Sequence, residues 1–175
     1  HVDLVQPAGP GSAPGPYSFP ALYRYTFPEQ IMTNRECGED ESDYLTKANF
    51  TFIYGFRFDM TIFRCRGTLA DIPNYAAYLG KLNGIRKDLA DLLLRGTVVD
   101  NEGFKLDNRS ITATAYAAGD RLAVVLWNGT TEEQPFSLRV PRQQLESVRT
   151  VEGESADMPS SLAPNQIAVC VYGPR

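Results

Sequence analysis

The sequence has a single histidine, no excess of basic residues and no long apolar run. His1 is the only histidine among 175 residues, so the chain alone cannot supply a histidine-based catalytic triad or a multi-histidine metal site. The formal net charge of −4 argues against a nucleic-acid partner, because phosphate binding requires a basic surface. No apolar run is long enough to cross a bilayer, which predicts no membrane partner.

Cysteine is also scarce, with three residues that do not follow the spacing of a metal site. The sequence therefore predicts no metal, and no other motif indicates a cofactor. Cys170 lies in an apolar stretch and is expected to be buried packing. Cys37 and Cys65 either pair or remain thiols, and the sequence favours thiols.

What is present indicates a folded protein. The hydrophobic content is 43% and the charged content 22%, which is enough apolar material for one medium domain or two small ones. The chain begins in the apolar run VDLV, so we expect it to be a piece of a longer or processed protein. No residue pattern indicates a cellular location.

One long amphipathic helix is predicted over residues 69–96, where apolar residues recur at steps of three and four. Asp71 is the expected N-cap, and Gly96 is expected to close the helix in the left-handed conformation. Gly80 and Gly84 lie four residues apart on it. They either permit another backbone to approach closely or are simply tolerated.

After this helix the apolar residues alternate with a period of two, which is typical of half-buried strands. The predicted strands cover residues 111–117, 122–127, 134–140, 145–151 and 167–172. Asn128-Gly129 is a favoured hairpin sequence. Tyr116 and Trp127 either stack on a sugar or fill the core, and strand aromatics favour the core.

The first part of the chain is less regular. Residues 7–16, PAGPGSAPGP, form a linker or a long loop over a site. Residues 22–27 are a short helix or a strand that Pro28 ends, and residues 31–33 are a strand. Residues 39–43 are acidic, which suits a sugar or cation site but more often indicates a solvated helix start. Residues 56–60, FRFDM, are a strand or a helical turn with an Arg57–Asp59 pair.

Three Asn-X-Ser/Thr sequences begin at Asn49, Asn108 and Asn128. They match the N-glycosylation pattern. They have that meaning only in a eukaryotic secreted protein and are otherwise coincidental.

Several runs resemble the C-terminal part of bacterial glycoside-hydrolase-like proteins, relatives of α-amylase-type and α-galactosidase-type enzymes. They are YSFPALYRYTFPEQIMTNRE, YGFRFDM and DLLLRGTVVDNEGF, and ITATAYAAGDRLAVVLWNGTTEEQPFSLRVP is similar to the β-sandwich that closes such chains. The resemblance implies an α/β part followed by an all-β part. Residues 1–106 would be the last βα units of a (β/α)8 barrel and residues 107–175 a small antiparallel β-sandwich. A full barrel needs about 200 residues or more, so the remaining barrel would be an upstream part of the same protein.

The same resemblance implies hydrolysis of glycosidic bonds in a carbohydrate substrate by paired carboxylates. Barrel enzymes place their chemistry at the carboxyl ends of the strands. The candidate catalytic acids are the carboxylates expected at strand ends, Asp3, Glu29 and Glu36. The candidate substrate-binding residues are Tyr25, Asn34 and Arg35. For each acid the alternative is a structural ion pair, and catalytic acids could also lie upstream.

Two other functions remain open. The chain could be a non-catalytic accessory or carbohydrate-binding module, or a globular domain whose function the residues do not indicate. A hydrolase predicts that the candidate acids converge in an open cleft. A binding module predicts an exposed aromatic platform on the sandwich.

Overall fold

The computed structural model describes residues 2–3, 20–38 and 41–175. The chain divides into two compact units, His1–Asn83 and Gly84–Arg175. The Pro/Gly-rich stretch of residues 7–16 lies outside the described residues. Among those that are described, no helix has the length and apolar character needed to cross a membrane. The predicted domain boundary after residue 106 stays a prediction.

The first unit is built around three parallel strands in the order β1-β2-β3, with a helix in each connection. Parallel neighbours need such crossover connections because each strand must start again from the same end of the sheet. In chain order the elements are β1 (Val2–Asp3), α1 (Pro20–Thr26), β2 (Met32–Gly38), α2 (Tyr44–Ile53), β3 (Arg57–Ile62), a 3₁₀ helix (Leu69–Asp71) and α3 (Pro73–Asp88).

The structure decides two alternatives that the sequence left open. Residues 22–27 belong almost entirely to helix α1, which ends before Pro28, and residues 57–60 belong to strand β3. Gly55 follows α2 with a φ of 67°, a conformation that glycine adopts without steric cost. Asp43 precedes α2, but its side chain makes no capping hydrogen bond.

Buried polar side chains connect α2 to its neighbours. Asn34 of β2 is 2% exposed, and its Nδ2 donates to Oγ1 of Thr51 at 2.7 Å. The Thr51 hydroxyl in turn donates to the carbonyl of Lys47 at 3.0 Å. The hydroxyl of Tyr78 in α3 donates to Oδ1 of the fully buried Asn49 at 2.7 Å. These bonds offset the cost of burying polar groups.

The prediction of one continuous helix over residues 69–96 is wrong. Helix α3 starts at Pro73 and ends at Asp88, and a separate short helix, α4 (Ala90–Leu93), follows Leu89. The break at Leu89 leaves three leucines buried, Leu89, Leu92 and Leu93. Asp71 instead completes a capping box with Thr68 at the 3₁₀ helix, where its carboxylate accepts from the Thr68 backbone N–H at 2.7 Å.

The second unit is mainly antiparallel sheet. Its six-stranded sheet has the order β11-β10-β13-β7-β6-β4, and two small sheets pair β12 with β8 and β5 with β9. The strands are β4 (Thr97–Asp100), β5 (Lys105–Leu106), β6 (Thr112–Ala118), β7 (Arg121–Trp127), β8 (Gln134–Pro135), β9 (Leu138–Arg139), β10 (Gln143–Thr150), β11 (Gly153–Ser155), β12 (Ser161–Leu162) and β13 (Ile167–Pro174).

Strands β7 and β13 form the centre of this unit, and their side chains are buried along almost the whole of both strands. Cys170 lies in β13 at 0% exposure, as predicted, and burial raises the pKa of its thiol to about 12. Tyr116 and Trp127 are 1% and 8% exposed. The core interpretation of these two aromatic residues is therefore confirmed, because they form no exposed platform.

The predicted Asn128-Gly129 hairpin is wrong, since β7 pairs with β6 and β13 and not with the strand that follows. Asn128 is fully buried. Its Nδ2 donates to the carbonyls of Glu132, Leu162 and Ala163 at 2.8, 2.8 and 3.1 Å. Its Oδ1 accepts from the backbone N–H and the hydroxyl of Thr130. The side chain thus ties three chain segments together.

The other Asn-X-Ser/Thr sequences also have structural roles. Asn49 is fully buried, and Asn108 donates to Gln134 and accepts from the Ser110 backbone N–H at 2.8 Å. An Asn side chain that bonds two residues ahead stabilises a turn. In this fold the recurrence of Asn-X-Ser/Thr has a structural explanation.

Gly96 does not close a helix in the left-handed conformation, because its φ is not positive. It permits close packing instead. A Cβ at this position would collide with the carbonyl oxygen of Leu92 and would lie 3.0 Å from that of Ala117. No described atom lies within 4 Å of a Cβ built on Gly80 or Gly84, so these two are tolerated helical glycines.

We expect Gly96→Ala to lower the free energy of unfolding by about 2 kcal/mol or more, because neither backbone oxygen can move away easily. Gly84→Ala is the matched control and should raise it by about 0.5–1 kcal/mol through helix propensity. Denaturant titrations of both variants test this. An unchanged midpoint for Gly96→Ala would contradict the packing described here.

We expect Asn128→Asp to destabilise the second unit by about 3 kcal/mol or more, because a carboxylate cannot donate to the three carbonyls around it. Asn101→Asp, at an exposed position, makes the same chemical change and should have an effect within about 0.5 kcal/mol. Thermal unfolding of the two variants at neutral pH distinguishes them. Equal stability would show that Asn128 does not connect these segments.

Candidate functional site

The carboxyl ends of β2 and β3 lie next to each other in the first unit. The parallel register places Arg35 opposite Asp59, Glu36 opposite Met60 and Gly38 opposite Ile62. Ligands of parallel sheets bind outside the carboxyl ends of the strands, where the connecting loops meet. We call this part of the molecule the carboxyl edge, defined by residues 36–38 and 60–62.

Arg35 and Asp59 form an ion pair across this sheet. Nε of Arg35 donates to Oδ2 of Asp59 at 2.8 Å, with side chains that are 64% and 32% exposed. The expected Arg57–Asp59 pair is therefore replaced by a pair between neighbouring strands. An exposed pair adds little to stability, and Arg35 takes part in a further interaction within the chain.

Asn34 lies on the other face of β2, since successive strand residues alternate. Its amide already binds Thr51 of α2 and is buried. The assignment of Asn34 to substrate binding stays a prediction, and the buried amide counts against it.

Three other candidates are described only by their backbone. Asp3 lies in β1 opposite Thr33, Glu36 lies in β2 near the carboxyl edge, and Tyr25 lies in α1. The side chains of Asp3, Tyr25 and Glu36 are outside the described part of the structure. Their catalytic and substrate-binding roles stay predictions.

Glu29 does not follow a strand, contrary to the reason for which it was selected. It is an exposed residue in the turn between α1 and β2, so it lies at the amino end of β2. In a parallel sheet this is the opposite end from Gly38. Its role as a catalytic acid stays a prediction without the strand-end argument that motivated it.

The acidic stretch of residues 39–43 contributes a helix cap. The carboxylate of Glu41 accepts from the backbone N–H of Tyr75 at 2.9 Å and from Nδ2 of Asn74 at 2.6 Å. Both donors are in the first turn of α3, where backbone N–H groups lack partners within the helix. The bond from the Tyr75 N–H lowers the pKa of Glu41 from its ordinary value of 4.5. Among the described residues, no group of three or more His, Cys, Asp or Glu side chains could hold a metal.

The turn at residues 63–67 follows β3 directly and was not predicted from the sequence. Phe63, Arg64 and Cys65 have consecutive φ values of 46°, 54° and 66°. Each non-glycine residue in this left-handed region costs about 1 kcal/mol or more. Cys65 is an exposed free thiol, so the pairing of Cys37 with Cys65 does not form.

A polar cleft of about 350 Å³ occupies the second unit. Its lining carries two arginines and four acidic residues, so it is net acidic. Arg121 pairs with Glu146 at 2.8 Å, and Arg149 pairs with Glu154 at 3.1 Å. We take the carboxyl edge as the candidate functional site, because ligands of parallel sheets bind at the carboxyl ends of the strands.

No protein-family model matches the sequence, and no curated protein matches it. Several solved structures of glycoside hydrolases are similar to the chain. An Anoxybacillus α-amylase has a TM-score of 0.51 and 12% identity over 89% of this chain and 40% of its own. A noncanonic maltogenic α-amylase, AmyB from Thermotoga neapolitana, has a TM-score of 0.48 and 11% identity over 87% and 42%. The trehalose-6-phosphate hydrolase of Bacillus licheniformis has a TM-score of 0.40 and 19% identity over 60% and 19%.

These likenesses concern the fold alone. The Anoxybacillus structure extends the similarity over both units of the chain. The chain spans 19% to 42% of the length of these three solved proteins. It therefore shares the fold of a portion of an α-amylase structure.

We expect Glu41→Gln to lower the melting temperature at pH 7, because the charged carboxylate caps α3 better than an amide does. Since the pKa of Glu41 is lower in the folded state, its contribution is complete above about pH 4.5 and is lost as the pH falls through the folded pKa. The difference between the two melting temperatures should shrink in acid. The control is Glu132→Gln, which removes an exposed carboxylate in the second unit. If the melting-temperature difference caused by Glu41→Gln does not change with pH, Glu41 does not cap α3 as a charged group.

Proposed function

We propose that this chain is the carboxy-terminal part of a carbohydrate-active glycoside hydrolase. In this proposal β1, β2 and β3 with their helices are the last βα units of a (β/α)8 barrel, and the strands of the second unit form a closing antiparallel β-sandwich. The supporting observation is the order of the architecture. A parallel βαβαβ unit and a long helix precede an antiparallel sheet, and this arrangement matches 89% of the chain to an α-amylase fold.

The exposed charged face of the parallel sheet supports the barrel. Parallel sheets are found with both faces covered. Here one face carries the buried Asn34 bonded to α2, while the alternate residues Arg35 and Arg57 are exposed. In a closed barrel these alternate residues would face the interior together with side chains from the missing strands. The partner that completes the sheet would be an upstream part of the same protein.

The chemistry proposed is hydrolysis of a glycosidic bond by two carboxyl groups. One acts as a general acid on the leaving oxygen, and the other acts as a nucleophile or activates water. Glu36 is one candidate in this chain, because its backbone lies at the carboxyl edge, adjacent to Cys37 and two residues from Gly38. Asp3 is the second candidate, and the other member of the pair could also be upstream. Arg35 would orient a sugar hydroxyl or a carboxylate.

The alternative is a non-catalytic carbohydrate-binding or accessory module. Trp127 and Tyr116, the aromatic residues that would make the expected platform, are buried. No observation on the second unit favours this alternative over the hydrolase.

The test is an assay of the full-length polypeptide, as its host expresses it, on a panel of aryl glycosides and oligosaccharides. We expect hydrolysis, and Glu36→Gln should lower kcat by about 10²- to 10⁴-fold, the range for removing a positioned acid or base. Glu132→Gln is the matched control for the loss of one carboxylate and should leave kcat unchanged.

Three outcomes would contradict parts of the proposal. Full activity in both Glu36→Gln and Asp3→Asn would show that neither residue is a catalytic acid, which leaves Glu29 or acids outside this chain. If Glu29→Gln loses activity and Glu36→Gln does not, the site lies at the amino end of β2 and not at the carboxyl edge. A folded full-length protein that hydrolyses nothing on the panel while binding oligosaccharides would favour the accessory module.

A further inference from the structure

The turn at residues 63–67 is built rigidly. The carbonyl of Ile62 accepts from the backbone N–H groups of Arg66 and Gly67 at 3.2 and 3.0 Å, and the carbonyl of Phe63 accepts from Arg66 at 3.1 Å. The Phe63 ring lies directly against Gly67, where any Cβ would collide with it and would come within 2.6 Å of Ile62 Cγ2. A side chain at this position would therefore require Phe63 or Ile62 to move.

The structure on the other side of the turn is also fixed. The capping box between Thr68 and Asp71 follows at once, with two bonds to the Asp71 carboxylate at 2.7 and 3.0 Å. The turn is therefore held between the end of β3 and a capped helix. Three strained residues persist in a structure only where their surroundings determine them, and such strain concentrates at functional sites.

The side chains that this backbone presents are aromatic and basic. Phe63 is 39% exposed, and Arg64, Cys65 and Arg66 are exposed. The guanidinium of Arg66 forms no ion pair with any described residue. Arg64 takes part in a further interaction within the chain, so Arg66 is the guanidinium that the turn presents.

The carboxylates of Asp71 and Glu41 keep their charge and accept from neutral donors, Asp71 from Thr68 and Glu41 from Asn74 and Tyr75. Glu39 and Asp40 lie outside the described residues. The turn also adjoins the carboxyl edge, because Ile62, which anchors it, is the register partner of Gly38 in β2.

We propose that the 63–67 turn is a binding site for an anionic sugar, a carbohydrate that carries a carboxylate or a phosphate. Phe63 would stack on the apolar face of the sugar ring, and Arg66 would hold the anionic group through charge-assisted hydrogen bonds. The inference rests on the proposed function, since it makes this turn the part of the hydrolase that selects charged substrates.

The test measures binding to the full-length protein by isothermal titration calorimetry with three probes, trigalacturonate, glucose 6-phosphate and maltotriose. We expect at least one anionic probe to bind more tightly than maltotriose, and its affinity to fall as salt rises from about 50 to about 300 mM, because exposed charges are screened. Trigalacturonate and glucose 6-phosphate distinguish the carboxylate source from the phosphate source.

Arg66→Gln should weaken binding of the preferred anionic probe about tenfold, since one charge-assisted contact is lost. Arg109→Gln removes an exposed arginine in the second unit and should change the affinity for that probe less than about twofold. Circular dichroism confirms that both variants fold. Phe63→Leu should weaken anionic and neutral sugars alike, since stacking does not depend on charge.

The inference is overturned if maltotriose binds as tightly as both anionic probes, or if Arg66→Gln and Arg109→Gln have equal effects. These failures are separate from failure of the hydrolase. If the protein hydrolyses neutral glycosides but binds charged and neutral sugars equally well, the proposed function is supported and this binding site is contradicted. If the protein binds anionic sugars through Arg66 but hydrolyses nothing, the binding site is supported and the hydrolase is contradicted.

Discussion

The parallel pairing of β1, β2 and β3 is the constraint on which the first unit depends. Parallel neighbours cannot be joined by a tight turn, so α1 and α2 must cross from one end of the sheet to the other. The same pairing gathers the carboxyl ends of β2 and β3 at one edge. That direction puts Glu36 and Glu29 at opposite ends of β2, although only six residues lie between them in the sequence.

The second unit depends on a different constraint, the burial of β7 and β13 on both faces. A strand covered on both sides shows a continuous apolar run instead of alternation, as RLAVVLW and IAVCVYGP do. Polar groups in such a core need partners, and Asn128 donates to three carbonyls in two other segments. The Asn-X-Thr sequence there is part of the architecture, because Thr130 donates to the same Asn side chain.

Much of this architecture is readable from the residues, and the failures have physical causes. The spacing of apolar residues predicted four strands of the second unit, β6, β7, β10 and β13, because burial repeats with the geometry of each element. The break at Leu89 carries no proline or glycine and depends on packing. Arg35 was expected at the site, but its partner Asp59 depends on register, which one sequence does not specify. Glu41 caps a helix more than thirty residues away, beyond any local pattern.

The 63–67 turn shows why a site can be harder to predict than a fold. Local preference and observed conformation conflict there, because Phe, Arg and Cys all disfavour the left-handed region that they occupy. Sequences are locally consistent where stability alone acts on them, and they depart from local preference where function requires a particular side chain. A glycine-rich turn would connect β3 to the 3₁₀ helix with less strain. It would not present an aromatic ring and a guanidinium group beside the carboxyl edge, so the strain has its simplest explanation in the side chains that it exposes.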